Sequence, residues 1–203
     1  MSGTGSYQAR YWVEEGGPNW VRDEVVYERM LAPFDVALVD ALAPAAGEAV
    51  LEVGCGFGAT ALAIAATGAQ VHGVDVAPAM IERARDRAEA ARSTATFAVG
   101  DAENEPLGGP YDAVASRFGV MFFEDPVRAF TNVAAATRAG GRLAFVCWQS
   151  VDANPWMGHP LTVLRGLVAD PPAPPPPGPG PFAFADPAHV DAVLAAEVAD
   201  RRR

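Results

Sequence analysis

The stretch "VLEVGCGFGAT" at residues 50–60 limits what this chain can fold into more than any other segment. An apolar run ends in an acid, glycines follow at 54, 56 and 58, and an apolar helix-like segment begins. Three glycines in five residues permit a tight bend and let a ligand come close to bare backbone amides. Three occupants of such a bend are open: a dinucleotide, a nucleotide-like methyl donor, or nothing beyond a glycine-rich turn.

The surrounding pattern supplies the frame. Short β-like runs at residues 49–53, 70–76, 95–99, 111–116 and 142–148 alternate with helix-like segments. The helices are expected at 59–66, 78–91 and from 125 to about 138. Pro78 suits a first helical turn, and Ile81, Ala84, Ala88 and Ala91 share one face. Asp125 and Pro126 read as a cap and first position, with Gly140 and Gly141 as the stop. Ahead of the first strand, residues 19–31 read as a helix carrying Val21, Val25 and Tyr27. Pro33 is expected to interrupt it. A second helix should then present Phe34, Ala37, Leu38 and Leu42 on one stripe. This alternation predicts an α/β fold with a parallel sheet and helices on both faces. Such sheets bind ligands in the crevice beyond the carboxyl ends of their strands.

Three acids sit at successive strand ends. Glu52 lies two residues before Gly54 and suits a cationic group such as an amine. Asp75 lies 17 residues after Gly58, where an acid can accept from ribose hydroxyls. Asp101 follows the third strand, where a carboxylate can accept from an exocyclic adenine amine beside the Ala102 amide. Together they favour a nucleoside pocket over an empty turn. Gly54, Gly56 and Ala59 also satisfy the dinucleotide fingerprint. A pyrophosphate, however, would be repelled by Glu52, whereas the ammonium and sulfonium of S-adenosylmethionine would not.

The segments "VLEVGCGFGAT", "GVDVAPAMIERAR", "GDAENEPL", "YDAVASRFGVMFFEDP" and "RAGGRLAFVCW" resemble the class I S-adenosylmethionine-dependent methyltransferases, in particular the bacterial small-molecule branch. The resemblance implies a Rossmann-like sheet with an N-terminal helical cap at residues 1–46. It places a cofactor-binding core at 47–150 and an acceptor-side region at 151–203, all in a single domain. By the same resemblance, Gly54, Cys55, Gly56 and Gly58 wrap the methionine part of the donor, and Glu52 helps hold its ammonium. Asp75 takes the ribose hydroxyls and Val76 packs on the adenine. Asp101 and Ala102 read the adenine edge, and Ser116 contacts the methionine end.

Candidates on the acceptor side are fewer. His72, inside the second strand, reads as packing and His189 as a solvated helix residue. His159, in "DANPWMGHP", is the candidate general base. Arg117 reads as a structural ion pair or an anion contact. Phe118, Met121, Phe122 and Phe123 read as helix packing or an apolar acceptor pocket, with Trp12, Trp20 and Trp156 as parts of a lid. A general base is needed only where the acceptor must lose a proton.

Composition narrows the partners. The chain has 203 residues, of which 50% are hydrophobic, and a formal net charge of −10. Its 15 basic residues are all arginine. This balance argues against general nucleic-acid binding, which needs phosphate-neutralising cations. No stretch reaches the ~18 apolar residues of a membrane span, and no secretory leader is evident. A cytoplasmic protein acting on a small molecule, with no nucleic-acid or membrane partner, is therefore expected. Cys55 and Cys147 form neither a disulfide framework nor a zinc motif, so no metal is expected. Residues 171–181, "PPAPPPPGPGP", read as a stiff spacer, or as an SH3-type ligand.

One departure stands out. The family sheet has seven strands, its last two forming a hairpin, and only five are legible here. The chain reads as C-terminally truncated or frame-shifted, as completed by a partner chain at the fifth strand, or as a natural short form. Self-association through that uncovered edge is one expectation. Besides the small-molecule methyltransferase, an impaired donor-binding fragment and an NAD(P)-dependent oxidoreductase stay open.

Overall fold

The computed structural model describes residues 7–168 and 178–200. The chain opens with α1 (Tyr7–Tyr11), a π-helical turn (Trp12–Gly16), α2 (Gly17–Arg22) and α3 (Glu24–Leu42). The α/β part comprises β1 (Ala49–Val53), α4 (Ala59–Ala65), β2 (Gln70–Asp75), α5 (Pro78–Ala90), β3 (Thr96–Val99), β4 (Tyr111–Arg117), α6 (Pro126–Ala136) and β5 (Thr137–Val146). Two further helices follow, α7 (Pro155–Leu167) and α8 (Pro187–Asp200). The strands form one sheet in the order β3-β2-β1-β4-β5, every pairing parallel. Strand order reverses beside β1, so the crevice lies past the ends of β1 and β4.

Two apolar layers sandwich the sheet. Side chains alternate between faces along a strand. Val50 packs with Leu38 and Leu42 of α3, Ile64 of α4 and Ile81 of α5. Leu51 and Val53 face the other way, toward Val114 and toward Val133 of α6. Glu52 therefore shares the Val50 face and points toward α3 and α4. Ser116 Oγ donates to the Val53 carbonyl at 2.7 Å, joining β1 to β4 at their carboxyl ends.

Several expectations need correction. Pro33 does not interrupt a helix: α3 runs through it, and the break comes at Asp23. Pro33 and Arg29 are both exposed, so the carbonyl that loses its amide partner faces solvent. Leu31, Leu38 and Leu42 anchor both halves of the helix in the core, whereas Ala37, expected on the stripe, is exposed. On α5 the buried face is Met80, Ile81, Ala84 and Ala88, and Ala91 lies exposed past the helix end. Gly140 and Gly141 do not stop α6. That helix ends at Ala136, and the glycines lie within β5, where the register against β4 shifts between Tyr111 and Ala113. A Cβ on Gly141 would sit 2.5 Å from the Thr137 side chain, so the irregular strand requires a glycine there.

Asp125 caps α6 as expected, accepting from the Arg128 amide at 3.0 Å. Asp186 does the same for α8, accepting from the Ala188 amide at 2.9 Å. The proline-rich stretch and the terminal arginines fall largely outside the described residues. Among those residues the sheet has five strands, and the outer edge of β5 has no strand partner. No described helix is long and apolar enough to cross a membrane.

Candidate functional site

A cavity of about 300 Å³ opens past the ends of β1 and β4. Its floor is the turn after β1. Gly54, Gly56 and Gly58 all adopt left-handed backbone, with φ of 65°, 52° and 81°. A Cβ on Gly54 would lie 2.7 Å from Gly119 Cα, and one on Gly119 would lie 2.9 Å from Gly54 Cα. The turns after β1 and β4 thus meet backbone to backbone. Gly119 carries no motif signal in the sequence beyond being a glycine after a strand. Gly58 does not line the cavity. It caps α4, and a Cβ there would lie 3.0 Å from the Phe97 ring.

Glu52 is 1% exposed and lines the cavity wall. Burial pushes its carboxyl up to about 8, against the opposing pull of Arg117. Thr60 of α4 lies between Glu52 and Asp35 of α3: its hydroxyl donates to Asp35 at 2.5 Å and also bonds Glu52. Asp35 in turn pairs with Arg117 at 3.1 Å, and both side chains are largely buried. A hydroxyl has one proton. With that proton on Asp35, Glu52 must be the donor to Thr60, which fits a protonated Glu52. Among the described residues Glu52 Oε2 has no hydrogen-bond partner, nor has the indole N–H of cavity-lining Trp12. A buried polar atom left unmatched is costly, so these two atoms mark where a ligand would be recognised.

Asp75 is held by two amides, Gly56 N–H to Oδ2 and Ala77 N–H to Oδ1, both at 2.9 Å. Burial still raises its carboxyl above the usual range. Four lone-pair sites on a carboxylate leave it room to accept further bonds. Asp101 accepts from the Glu103 amide at 2.9 Å and from Asn104 Nδ2 at 2.8 Å. Val76, Asp101 and Ala102 line the cavity beside it. The Cys55 thiol is buried and pushed well above its usual range, first by burial and then by Asp75 and Glu52.

Two of the expected site residues lie outside the cavity lining. Ser116 is fully buried, with its hydroxyl turned to Val53, and does not line the cavity. His159 is exposed on α7, outside the lining; the neighbouring Trp156 and Met157 occupy that place instead. His72 is half-buried in β2 with Nδ1 at 2.9 Å from Thr96 Oγ1, and His189 is exposed on α8, both as expected.

The rest of the wall is aromatic. Trp12, Trp20 and Phe122 pack edge-on, with Trp12 centroids 5.6 Å from Trp20 and 5.0 Å from Phe122. Phe118 stacks on Trp148 at 4.3 Å, and Trp156 meets Trp148 at 5.5 Å. Gln8 of α1 donates to the Pro179 carbonyl at 3.1 Å, tying the N-terminal helices to the segment before α8.

Residues 50–141 match the family model of a methyltransferase domain. Aklanonic acid methyltransferase of Streptomyces sp. strain C5 is 39% identical over 128 residues, covering 59% of this chain and 58% of that protein. A structure from work on converting a disulfide bond into a thioacetal group in echinomycin biosynthesis is 29% identical. It covers 80% of this chain and 66% of its own, at a TM-score of 0.61. A TehB-like methyltransferase from Corynebacterium glutamicum is 28% identical with a TM-score of 0.53, covering 63% and 72%. Across the curated relatives the match spans between 44% and 58% of their length. The matched region holds β1 to β4 and the turns that floor the cavity, so this part of the chain is similar to a methyltransferase domain.

Proposed function

We propose that the chain binds S-adenosylmethionine in this cavity and transfers its methyl group to a small molecule. The observation that carries the proposal is Glu52: a buried carboxyl with a partnerless oxygen, set beside two left-handed glycines on the cavity floor. An ammonium stabilises the ionised form of that carboxyl, which a dinucleotide pyrophosphate cannot do. The donor supplies an electrophilic methyl group on a positively charged sulfur. In this reading the backbone of Gly54, Cys55 and Gly56 surrounds its methionine end, and Glu52 takes the ammonium. Asp75 accepts from the ribose hydroxyls, Val76 packs on the adenine, and Asp101 with the Ala102 amide reads the adenine edge. Gly58 and Ser116 support this wall from behind. The name of the Streptomyces relative supports a small-molecule acceptor. The N-terminal helices add Trp12 and Trp20, and residues 151–168 add Trp156, to the Phe118, Phe122 and Trp148 rings of the core, which fits a division into cap, donor core and acceptor region.

Since the leaving group is already good, the protein's task is to align acceptor, methyl and sulfur and to exclude water. Calorimetric titration with S-adenosylhomocysteine should show saturable binding that Asp75→Ala weakens strongly. Saturable NAD binding without any response to S-adenosylhomocysteine would overturn the reading. Turnover across an acceptor panel separates an active enzyme from a binding fragment. The reading extends to a cytoplasmic protein that self-associates through the open edge of β5. Light scattering at increasing concentration tests the self-association.

A further inference from the structure

The cavity has two ends of different chemistry. The end past β1 to β3 offers amides and carboxylates. The end past β4 and β5 offers rings. Phe118 is fixed there: its amide donates to the Val146 carbonyl at 2.9 Å, and its φ is +63°, a region bulky residues rarely occupy. Its ring lies 12° from parallel with Trp148, and Trp156 closes against Trp148 at 61°. Met121 and Met157 add adaptable thioether surface to the same cavity.

Among the described residues this end holds no group suited to take a proton. The chain has no lysine, and neither its three histidines nor its four tyrosines line the cavity. The carboxylates that do are already engaged. Asp75 and Asp101 hold the amides described above. Glu103 pairs with Arg128 and accepts from the Glu124 amide at 2.8 Å. Glu52 is tied to Thr60, and its open oxygen is the one assigned to the donor's ammonium. Arg117 is the one cation among the described lining residues, and its bond to Asp35 uses one of five guanidinium donors.

We infer that the acceptor is a flat aromatic compound that already carries an oxygen anion, a carboxylate or an acidified phenol. It lies against Phe118, Trp148 and Trp156, with Arg117 supplying the attraction for its charge. This inference rests on the methyltransferase reading. The anionic oxygen forms the new O–CH₃ bond while the carbon–sulfur bond of the donor breaks, its electron pair staying on sulfur. No proton has to leave, so no general base is required. Offset and edge-on ring contacts favour a planar aromatic over a saturated ring of equal size.

The test uses the full chain loaded with S-adenosylhomocysteine and three probes: 2-naphthoic acid, 2-naphthamide and decalin-2-carboxylic acid. Naphthoate is expected to bind at least tenfold more tightly than the other two, read by tryptophan quenching or calorimetry. Trp156 is 53% exposed, so Trp156→Leu should fold. It should weaken naphthoate three- to tenfold and leave S-adenosylhomocysteine affinity unchanged. If S-adenosylhomocysteine binds but decalin carboxylate or naphthamide matches naphthoate, the acceptor inference fails alone. If S-adenosylhomocysteine does not bind, the donor reading fails and takes the acceptor inference with it.

Discussion

In the proposed site, Glu52 makes donor binding a proton-release reaction. Its carboxyl is pushed up to about 8, so at pH 7 roughly nine-tenths of the free protein holds that proton. The ammonium of S-adenosylhomocysteine calls for the ionised form. Binding at pH 7 should therefore release close to one proton per site. Between pH 5.5 and 7 the association constant should rise nearly tenfold per unit, because each unit removes most of the competition from the bound proton. Calorimetry at pH 7 in phosphate and in Tris, whose ionisation enthalpies differ, measures the released proton directly. Glu52→Gln keeps a donor for Thr60 and an acceptor for the Ala61 amide but cannot ionise. It should bind more weakly and release no proton through this site. Asp75 also has a raised carboxyl, and the comparison with Glu52→Gln separates the two. Release below about 0.2 protons in the native chain, or equal release from Glu52→Gln, would refute the reasoning.

The same carboxyl sets a stability trend. Its folded value lies above its unfolded one, so the stability it allows is full below about pH 4.5 and is lost as pH rises through about 8. Ligand-free Glu52→Gln should therefore gain melting temperature relative to the native chain as pH goes from 5 to 8, by scanning fluorimetry. Arg117→Met strands a buried Asp35 and should cost about 3 kcal/mol in urea unfolding, most of it recovered in the double variant with Asp35→Leu. Gly54→Ala combines left-handed strain with a backbone clash. It should cost more than the roughly 1 kcal/mol of Gly56→Ala, whose Cβ would meet only Met80 Sδ at 3.9 Å. His159→Ala should leave donor affinity and turnover unchanged, measured by calorimetry and methylation rate.

The first strand and its glycine turn were legible because their signals are local: an apolar run, then glycines. The acids at 52, 75 and 101 were legible because strand ends in a parallel sheet converge. What escaped depended on partners distant in sequence. Asp35 looks like one more charge on a surface helix until Arg117, 82 residues on, is brought to 3.1 Å. Gly119 matters only because Gly54 approaches it. Ser116 sits at a strand end like the acids, yet its side chain turns to the neighbouring strand, and one residue of register decides which way it points. Pro33 misled because a propensity rule for isolated helices ignores burial on both flanks. Gly140 and Gly141 resemble a helix stop, but the strand pairing of Thr137 with Tyr111 had already ended the helix.

The contact between Gly54 and Gly119 has a mechanical consequence. With no side chain between them, the turn proposed to hold the donor and the turn proposed to lead to the acceptor cannot slide independently. They move as one plate, so the distance between donor and acceptor stations is set by the backbone and does not vary with thermal motion of either loop alone. Entry and exit must then come from the opposite wall, where Trp12 and Trp20 ride on short helices tethered by the Gln8 bond to Pro179. Shortening or loosening that tether should change how fast ligands come and go while leaving the alignment of the reacting atoms as it is.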